Sequence, residues 1–373
     1  MKLSTTTRAA ALSTGLAATL ALAACGAANE TSGGSGAAGS AGAGAEQLSG
    51  DLVGAGASSQ QAAMQAWQAG FNSQQPGVSF SYDPVGSGGG REQFIAGGTD
   101  FAGSDAALDD EELAAAQERC GGGEVFELAN YVSGIAVVYN LEGVDELNLA
   151  PATVAGIFAG QITTWNDPAI AADNPGVTLP DLAVTPVHRA DDSGTTTNFT
   201  DYLSQAAPEV WTSEPDGEWP LPGGEAANGT SGVISAVQAG NGAIGYADES
   251  QAGALGVAKI GVGSEFVAPS PEAAAAVVAN SERVAGRGEY DFAVEVNRTT
   301  TSADEYPIVL VSYHIGCVEY DDQAKADAVK AFMGYVVSEE GQTAAADAAG
   351  SSPITADARE QAQTAIDAIT VAS

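Results

Sequence analysis

Basic residues are scarce in this chain. Its 373 residues include 12 Lys and Arg against 48 Asp and Glu, a formal charge of −36, so it lacks the positive surface that a nucleic-acid partner requires. Histidine and cysteine are scarcer still. The two histidines, His188 and His314, and the three cysteines show no clustered spacing, which leaves no transition-metal site and no cofactor to read. Beyond the N-terminus no apolar run reaches membrane-spanning length. The acidity favours solubility in an exposed, salty compartment, and it conflicts at first sight with a small anionic ligand. Distance eases the conflict: at physiological salt the screening length is about 8 Å, so nearby donors decide binding.

The one long apolar stretch opens the chain. Lys2 and Arg8 lead into a run from Ala9 that ends at Leu22-Ala23-Ala24-Cys25-Gly26, which makes residues 1–24 an export signal. The small residues before Cys25 resemble the lipobox of bacterial lipoproteins, in which cleavage leaves the cysteine as a lipidated N-terminus. A plain secretory signal with a chance cysteine is the alternative. Residues 25–47 are too rich in Gly, Ala and Ser to bury a core and read as a flexible linker. With Cys25 given to lipid, Cys120 and Cys317 remain in an exported protein, as a disulfide or as two buried thiols. A disulfide would close a loop of about 200 residues and contribute about 5 kcal/mol in the chain-entropy model.

Strand and helix patterns alternate through the rest. Leu52-Val53 precedes a helical pattern of Met64, Trp67 and Phe71, then the alternating Val78-Ser79-Phe80-Ser81-Tyr82. That order predicts a mainly parallel α/β sheet. The apolar segments Ile135–Tyr139 and Ile308–Tyr313 are the expected crossover strands. Between them lies an inserted lobe, so that residues 48–140 and 304–373 form lobe I and 141–303 lobe II.

Four loops carry the chemistry. In Arg189-Ala190-Asp191-Asp192-Ser193-Gly194-Thr195 an arginine lies beside hydroxyls, between a strand and a helix marked by Phe199, Tyr202 and Leu203. The turn exposes free N–H groups and the positive end of the helix dipole, and the guanidinium can grip two oxygens; the plainer reading is a helix cap with a surface arginine. Gly54-Ala55-Gly56-Ala57-Ser58-Ser59 opens the Met64 helix. Gly86-Ser87-Gly88-Gly89-Gly90-Arg91 precedes a helix with Phe94 and Ile95, and its glycines permit close backbone approach. The fourth loop holds Asp105, which either caps the helix starting near Asp109 or faces the anion. An ionised carboxylate only accepts, so it welcomes an oxyanion that keeps a proton, such as monohydrogen phosphate, and repels sulfate. The mismatch costs a few kcal/mol.

The order Gly-Ala-Gly-Ala-Ser, Gly-Ser-Gly-Gly-Gly, Asp-Phe-Ala-Gly-Ser-Asp-Ala, Arg-Ala-Asp-Asp-Ser-Gly-Thr and Gly-Ala-Ile-Gly-Tyr, from Gly54 to Pro353, resembles the substrate-binding protein of the high-affinity bacterial phosphate ABC transporter. The resemblance implies a type II periplasmic-binding-protein fold, two α/β lobes closing over one dehydrated phosphate. By motif it places ligands at Ser58, the Ser59 N–H, Ser87, Asp105, Arg189, Ser193, the Gly194 N–H and Thr195, with Asp191 orienting the arginine. It implies a lipid-anchored monomer on the outer face of the cytoplasmic membrane, delivering phosphate to permease subunits without catalysis. Two positions depart from the family: Ser58-Ser59 stands where Thr and a bulky apolar residue are frequent, and Asp192 replaces a small residue, adding negative charge near the site. A secreted phosphatase is the competing reading, since Ser and Asp beside Arg also serve as nucleophile and clamp, but neither histidine lies in a nucleophile–base pattern. A receptor for another tetrahedral oxyanion, arsenate above all, is the third.

Overall fold

The computed structural model describes residues 47–372. The export signal, Cys25 and the linker up to residue 46 lie outside the described residues. The fold centres on a nine-stranded sheet. Its strands are β1 (Gly50–Gly56), β2 (Val78–Asp83), β3 (Phe101–Ser104), β4 (Val125–Asn140), β5 (Thr185–Arg189), β6 (Glu225–Ala227), β7 (Ala243–Asp248), β8 (Gly256–Val257) and β9 (Val309–Cys317). They run in the order β2-β1-β3-β9-β4-β7-β5-β6, with β8 paired to β4.

The sheet is mixed, which corrects the expectation of a mainly parallel one. Its flanks are parallel: β1 with β2 and β3, and β5 with β6 and β7. Its centre is antiparallel, because β9 pairs with β3 and β4, and β4 pairs with β7 and β8. The reason lies in the 16-residue β4. Its first part pairs with β9 as far as Gly134, and Ile135–Asn140 pair with β7, so one strand carries the chain between flanks without the helical crossover a parallel pair needs. β4 runs from one flank of the sheet to the other, and β9, the second expected crossover strand, lies between β3 and β4 with its first residue Val309 opposite Gly134. All nine residues of β9 are buried, the pattern of a strand covered on both faces.

Five helices shape the site: α1 (Gln61–Gln74), α2 (Ser87–Ile95), α3 (Asp110–Arg119), α4 (Gly194–Ala206) and α5 (Gly229–Ala239). α1 buries Met64, Trp67 and Phe71, and α4 buries Phe199, Tyr202 and Leu203, as their spacing predicts. α2 differs from expectation. It starts at Ser87, so Gly88, Gly89 and Gly90 form its first turns instead of a preceding loop. Contact with neighbours requires the missing side chains: a Cβ on Gly90 would lie 2.4 Å from Gly56 Cα, and one on Gly88 2.0 Å from Asp192 Oδ2.

Each flank has its own group of aromatic contacts within one continuous core. Phe80 packs on Phe332 (4.7 Å between centroids) and Phe101 on His314 (5.4 Å) on one side, and Phe199 stacks on Tyr246 at 4.3 Å on the other. Burying each such ring contributes about 2–3 kcal/mol. Cys120, just after α3, and Cys317, the last residue of β9, form a disulfide with Cα atoms 5.5 Å apart. The bridge joins the segments before and after the expected insertion.

Candidate functional site

The candidate residues follow the ends of parallel strands and precede or open helices, where an open α/β sheet presents its ligand sites. Ser58 and Ser59 lie between β1 and α1, Ser87 opens α2 after β2, Asp105 follows β3, and Arg189 ends β5. Ser193 caps α4, its hydroxyl accepting from the Thr196 N–H, and Gly194 and Thr195 are the first helical residues. Ser58, Ser59, Ser87, Asp105, Arg189, Ser193 and Thr195 are all buried, none more than 4% exposed.

Contacts join these loops into one cluster. A Cβ on Gly194 would lie 2.7 Å from Ser87 Oγ and 2.8 Å from Asp105 Cβ, so the start of α4 reaches the other two loops only because the residue is glycine. Thr195 Oγ1 donates to Asp105 Oδ2 at 3.0 Å, and the Asp105 N–H donates to Ser87 Oγ at 3.1 Å. Gly86, at φ 98°, sets the α2 loop beside Asp191: a Cβ there would lie 2.5 Å from Asp191 Oδ2.

Arg189 and Asp191 form a two-point ion pair. Nε donates to Oδ1 at 2.8 Å and Nη2 to Oδ2, which leaves the Nη1 edge of the guanidinium outside the pair. The Gly229 N–H also donates to Asp191 Oδ1, at 2.9 Å. Burial works against ionisation of Asp191, but the hydrogen bond and charge of Arg189, with the Gly229 N–H, hold its carboxyl below the ordinary range.

Asp105 is treated differently. Its carboxylate accepts from hydroxyls: Ser59 Oγ at 2.7 Å to Oδ1 and 2.8 Å to Oδ2, and Thr195 Oγ1. Burial pushes its carboxyl up, and the donors Ser59, Ser312 and Thr195 and the charge of Arg189 counter that push without cancelling it. The alternative of a helix cap is removed, because Asp109 caps α3 in a reciprocal box with Glu112.

Several neighbours were not legible as site residues. Thr230, buried at the start of α5, has its hydroxyl 3.1 Å from Ser58 Oγ and donates its N–H to the same atom at 3.1 Å. Asn198 Nδ2 donates to the carbonyls of Asp105 (2.7 Å) and Gly194 (2.8 Å), and Arg298, itself buried, donates to Asn198 Oδ1. Gln251 Nε2 donates to the Ser58 carbonyl at 3.0 Å. Asn228-Gly229-Thr230 repeats the polar-cap, glycine, threonine order of Ser193-Gly194-Thr195, and that was the available signal for Thr230.

The remaining polar candidates point elsewhere. His188 stacks on Trp219 at 4.9 Å, and His314 Nε2 lies 3.0 Å from Gln60 Oε1 with burial depressing its pKa to about 3. Arg91 is engaged by Glu112 at 2.7 Å and Ser104 at 3.0 Å. The side chain of Asp192 is 41% exposed, with Oδ2 3.7 Å from Arg91 Nη2, so its charge faces Arg91 and solvent. Among the described residues no group of three His, Cys, Asp or Glu could hold a metal ion, and no helix is long and apolar enough to cross a membrane.

The model of the PBP superfamily domain matches residues 36–340. Phosphate-binding protein PstS 3 of Mycobacterium leprae is 37% identical over 288 residues, covering 76% of this chain and 77% of that protein. The chain belongs to this family of phosphate ABC transporter substrate-binding proteins. Phosphate-binding protein PstS 2 of Mycobacterium tuberculosis is 35% identical over 335 residues, 87% of this chain and 89% of that one. Among solved structures, a high affinity periplasmic phosphate-binding protein (PfluDING) bound with phosphate superposes with a TM-score of 0.69 at 22% identity, covering 84% of this chain and 93% of that one. A human phosphate binding apolipoprotein gives 0.67 at 20%, covering 84% and 94%. These likenesses establish the periplasmic-binding-protein fold. The PstS family is extracytoplasmic and is a family of transport proteins.

Proposed function

We propose that this protein binds one phosphate ion as monohydrogen phosphate in the buried cluster and delivers it to the membrane subunits of an ABC importer. The observation that carries the reading is a buried, hydroxyl-bound Asp105 set among hydroxyl and backbone donors, with Arg189 fixed by Asp191 and its charge acting on Asp105. In this reading the ligands are Ser58, the Ser59 N–H, Ser87, Arg189, Ser193, the Gly194 N–H and Thr195, and Asp105 accepts the phosphate proton. Sulfate brings no proton to that carboxylate, a mismatch of a few kcal/mol.

Residues 48–140 with 304–373 and residues 141–303 act as two lobes that close on the ion, with β4 bending between them. Closure explains why the donors are buried, and the closed form is what the permease reads. The protein is a monomer, anchored by lipid on Cys25; loss of membrane attachment in Cys25→Ala tests the anchor. Binding without hydrolysis is part of this reading, and an assay of the mature protein for release of phosphate from phosphomonoesters tests it, with none expected.

Isothermal titration calorimetry of the mature protein, stripped of bound anion, tests the reading with phosphate, arsenate and sulfate. One-to-one phosphate binding at least about 100-fold tighter than sulfate is expected, with arsenate close to phosphate. Equal binding of sulfate would remove the role given to Asp105. No binding of any of the three would sink the proposal.

A further inference from the structure

The reading above gives Ser59 a role only through its backbone N–H, yet its side chain makes the shortest contacts to the one carboxylate of the cluster that has no ion-pair partner of its own. Ser59 Oγ lies 2.7 Å and 2.8 Å from the two oxygens of Asp105, and a hydroxyl has one proton to share between them. The two residues come from different loops, and both loops are pinned. The Ala57 N–H donates to the Gly103 carbonyl at 2.8 Å, and Gln251 Nε2 donates to the Ser58 and Ser59 carbonyls at 3.0 and 3.3 Å. Ser59 itself is fully buried, so no water replaces its hydroxyl.

We propose that the Ser59 hydroxyl determines the anion specificity of the site by holding Asp105 as an ionised, acceptor-only group. The inference rests on the phosphate reading and adds to it the residue that keeps the discriminating carboxylate in its discriminating state. A hydroxyl donates more strongly to a carboxylate than to a neutral carboxyl, so the Ser59 contact favours the ionised form. The chemistry is symmetric. Ionised Asp105 fits an oxyanion that carries a proton, and protonated Asp105, now a donor, fits one that does not. Sulfate affinity therefore follows the protonated fraction of Asp105.

The other groups facing Asp105 do not duplicate this effect. From the β5–α4 segment, Thr195 donates at 3.0 Å to Oδ2 alone, and Arg189 acts on Asp105 through space while its direct bonds go to Asp191. On β9 the Ser312 hydroxyl accepts from Gln60 Nε2 at 2.8 Å and donates to the Ser104 carbonyl at 3.4 Å. Tyr82 on β2 and Tyr131 on β4 are phenols that burial keeps neutral, and Asp248 on β7 is itself pushed up to about 7, by burial first and with the charge of Asp105 adding to the push.

Calorimetry of Ser59→Ala, Ser59→Thr and the unaltered mature protein with phosphate and sulfate from pH 5 to 9 provides the test, together with an NMR titration of the Asp105 carboxyl in the ligand-free proteins. Ser59→Ala should lower the phosphate-over-sulfate ratio about tenfold for each unit by which the Asp105 pKa rises. The pH at which that preference fades should move upward, and Ser59→Thr, which keeps the hydroxyl, should restore the ratio. An unchanged ratio and an unchanged Asp105 titration in a folded Ser59→Ala protein would overturn the inference and leave phosphate binding standing. So would an equal loss of affinity for both ions, which marks a packing defect. Should Ser59→Ala fail to fold, Ser59→Cys, a weak donor of similar size, must give an intermediate ratio; the unaltered ratio there would overturn the inference too. Absence of any phosphate preference in the unaltered protein would instead defeat the reading on which it rests.

Discussion

Asp105 and Asp191 share one buried cluster and are pushed in opposite directions. Asp191 has a guanidinium on both oxygens and a backbone N–H besides, which hold its carboxyl low; Asp105 has hydroxyls and is pushed up by burial. The difference separates two tasks. A carboxylate saturated by an arginine is a fixture that aims the cation. One supplied with weaker donors keeps acceptor capacity for a ligand, and the fold gives up stability to hold it there.

Removing the arginine should break the comparison most severely. Arg189→Ala leaves Asp191 without its cation and removes the main charge proposed to face the anion, a loss of about 2–5 kcal/mol, so calorimetry should find phosphate binding weakened by about 30- to 4,000-fold. Arg189→Lys should rescue little, because a point charge cannot make the two-point pair with Asp191.

Asp105→Asn sharpens the comparison through pH. A carboxylate with a depressed pKa, as at Asp191, stabilises the fold above its unfolded pKa near 3.9 and loses that contribution as pH falls through the folded value. One with a raised pKa does the reverse: the folded protein holds a proton that the unfolded chain has released, so the ligand-free fold loses stability as pH rises toward the raised value. Asp105→Asn should therefore raise the ligand-free melting point at pH 8 by about 1 kcal/mol of stability or more, and the gain should shrink at pH 5. The same variant should lose most of its preference for phosphate over sulfate. A lower melting point at pH 8 would show that Asp105 holds the cluster together and does not strain it.

Asp192→Gly should have the smallest effect. Its half-exposed side chain meets Arg91 at 3.7 Å, and such pairs contribute about 0–1 kcal/mol, so phosphate affinity should change by less than about fivefold. A larger change would mean that the acid acts on the ligand after all.

Much of the site was legible because its residues are local. Ser193-Gly194-Thr195 at the start of an apolar-striped helix, and Asp191 two residues after Arg189, are set by short-range geometry. The sequence left open a reading of Asp105 as the cap of the helix near Asp109, and the capping box of Asp109 with Glu112 decides against that only once the helix start is fixed at Asp110. Thr230, Asn198 and Arg298 were not legible. Thr230 reaches Ser58 across 172 residues, and Asn198, though only three residues after Thr195, acts on the Asp105 loop 93 residues away and is held by Arg298 100 residues on.

The sequence by itself determined most of the strands and helices around the loops, the hydroxyl- and arginine-rich character of those loops, the acidic character and the cysteine pair, because side-chain type and spacing of a few residues suffice for each. Tertiary structure alone decided that the sheet is antiparallel at its centre, that three glycines of the second loop are helical, and that Ser59 bonds to the carboxylate of Asp105. These depend on which distant backbones meet, as where Gly90 touches Gly56 and Gly194 meets Ser87, and no local pattern encodes that distance.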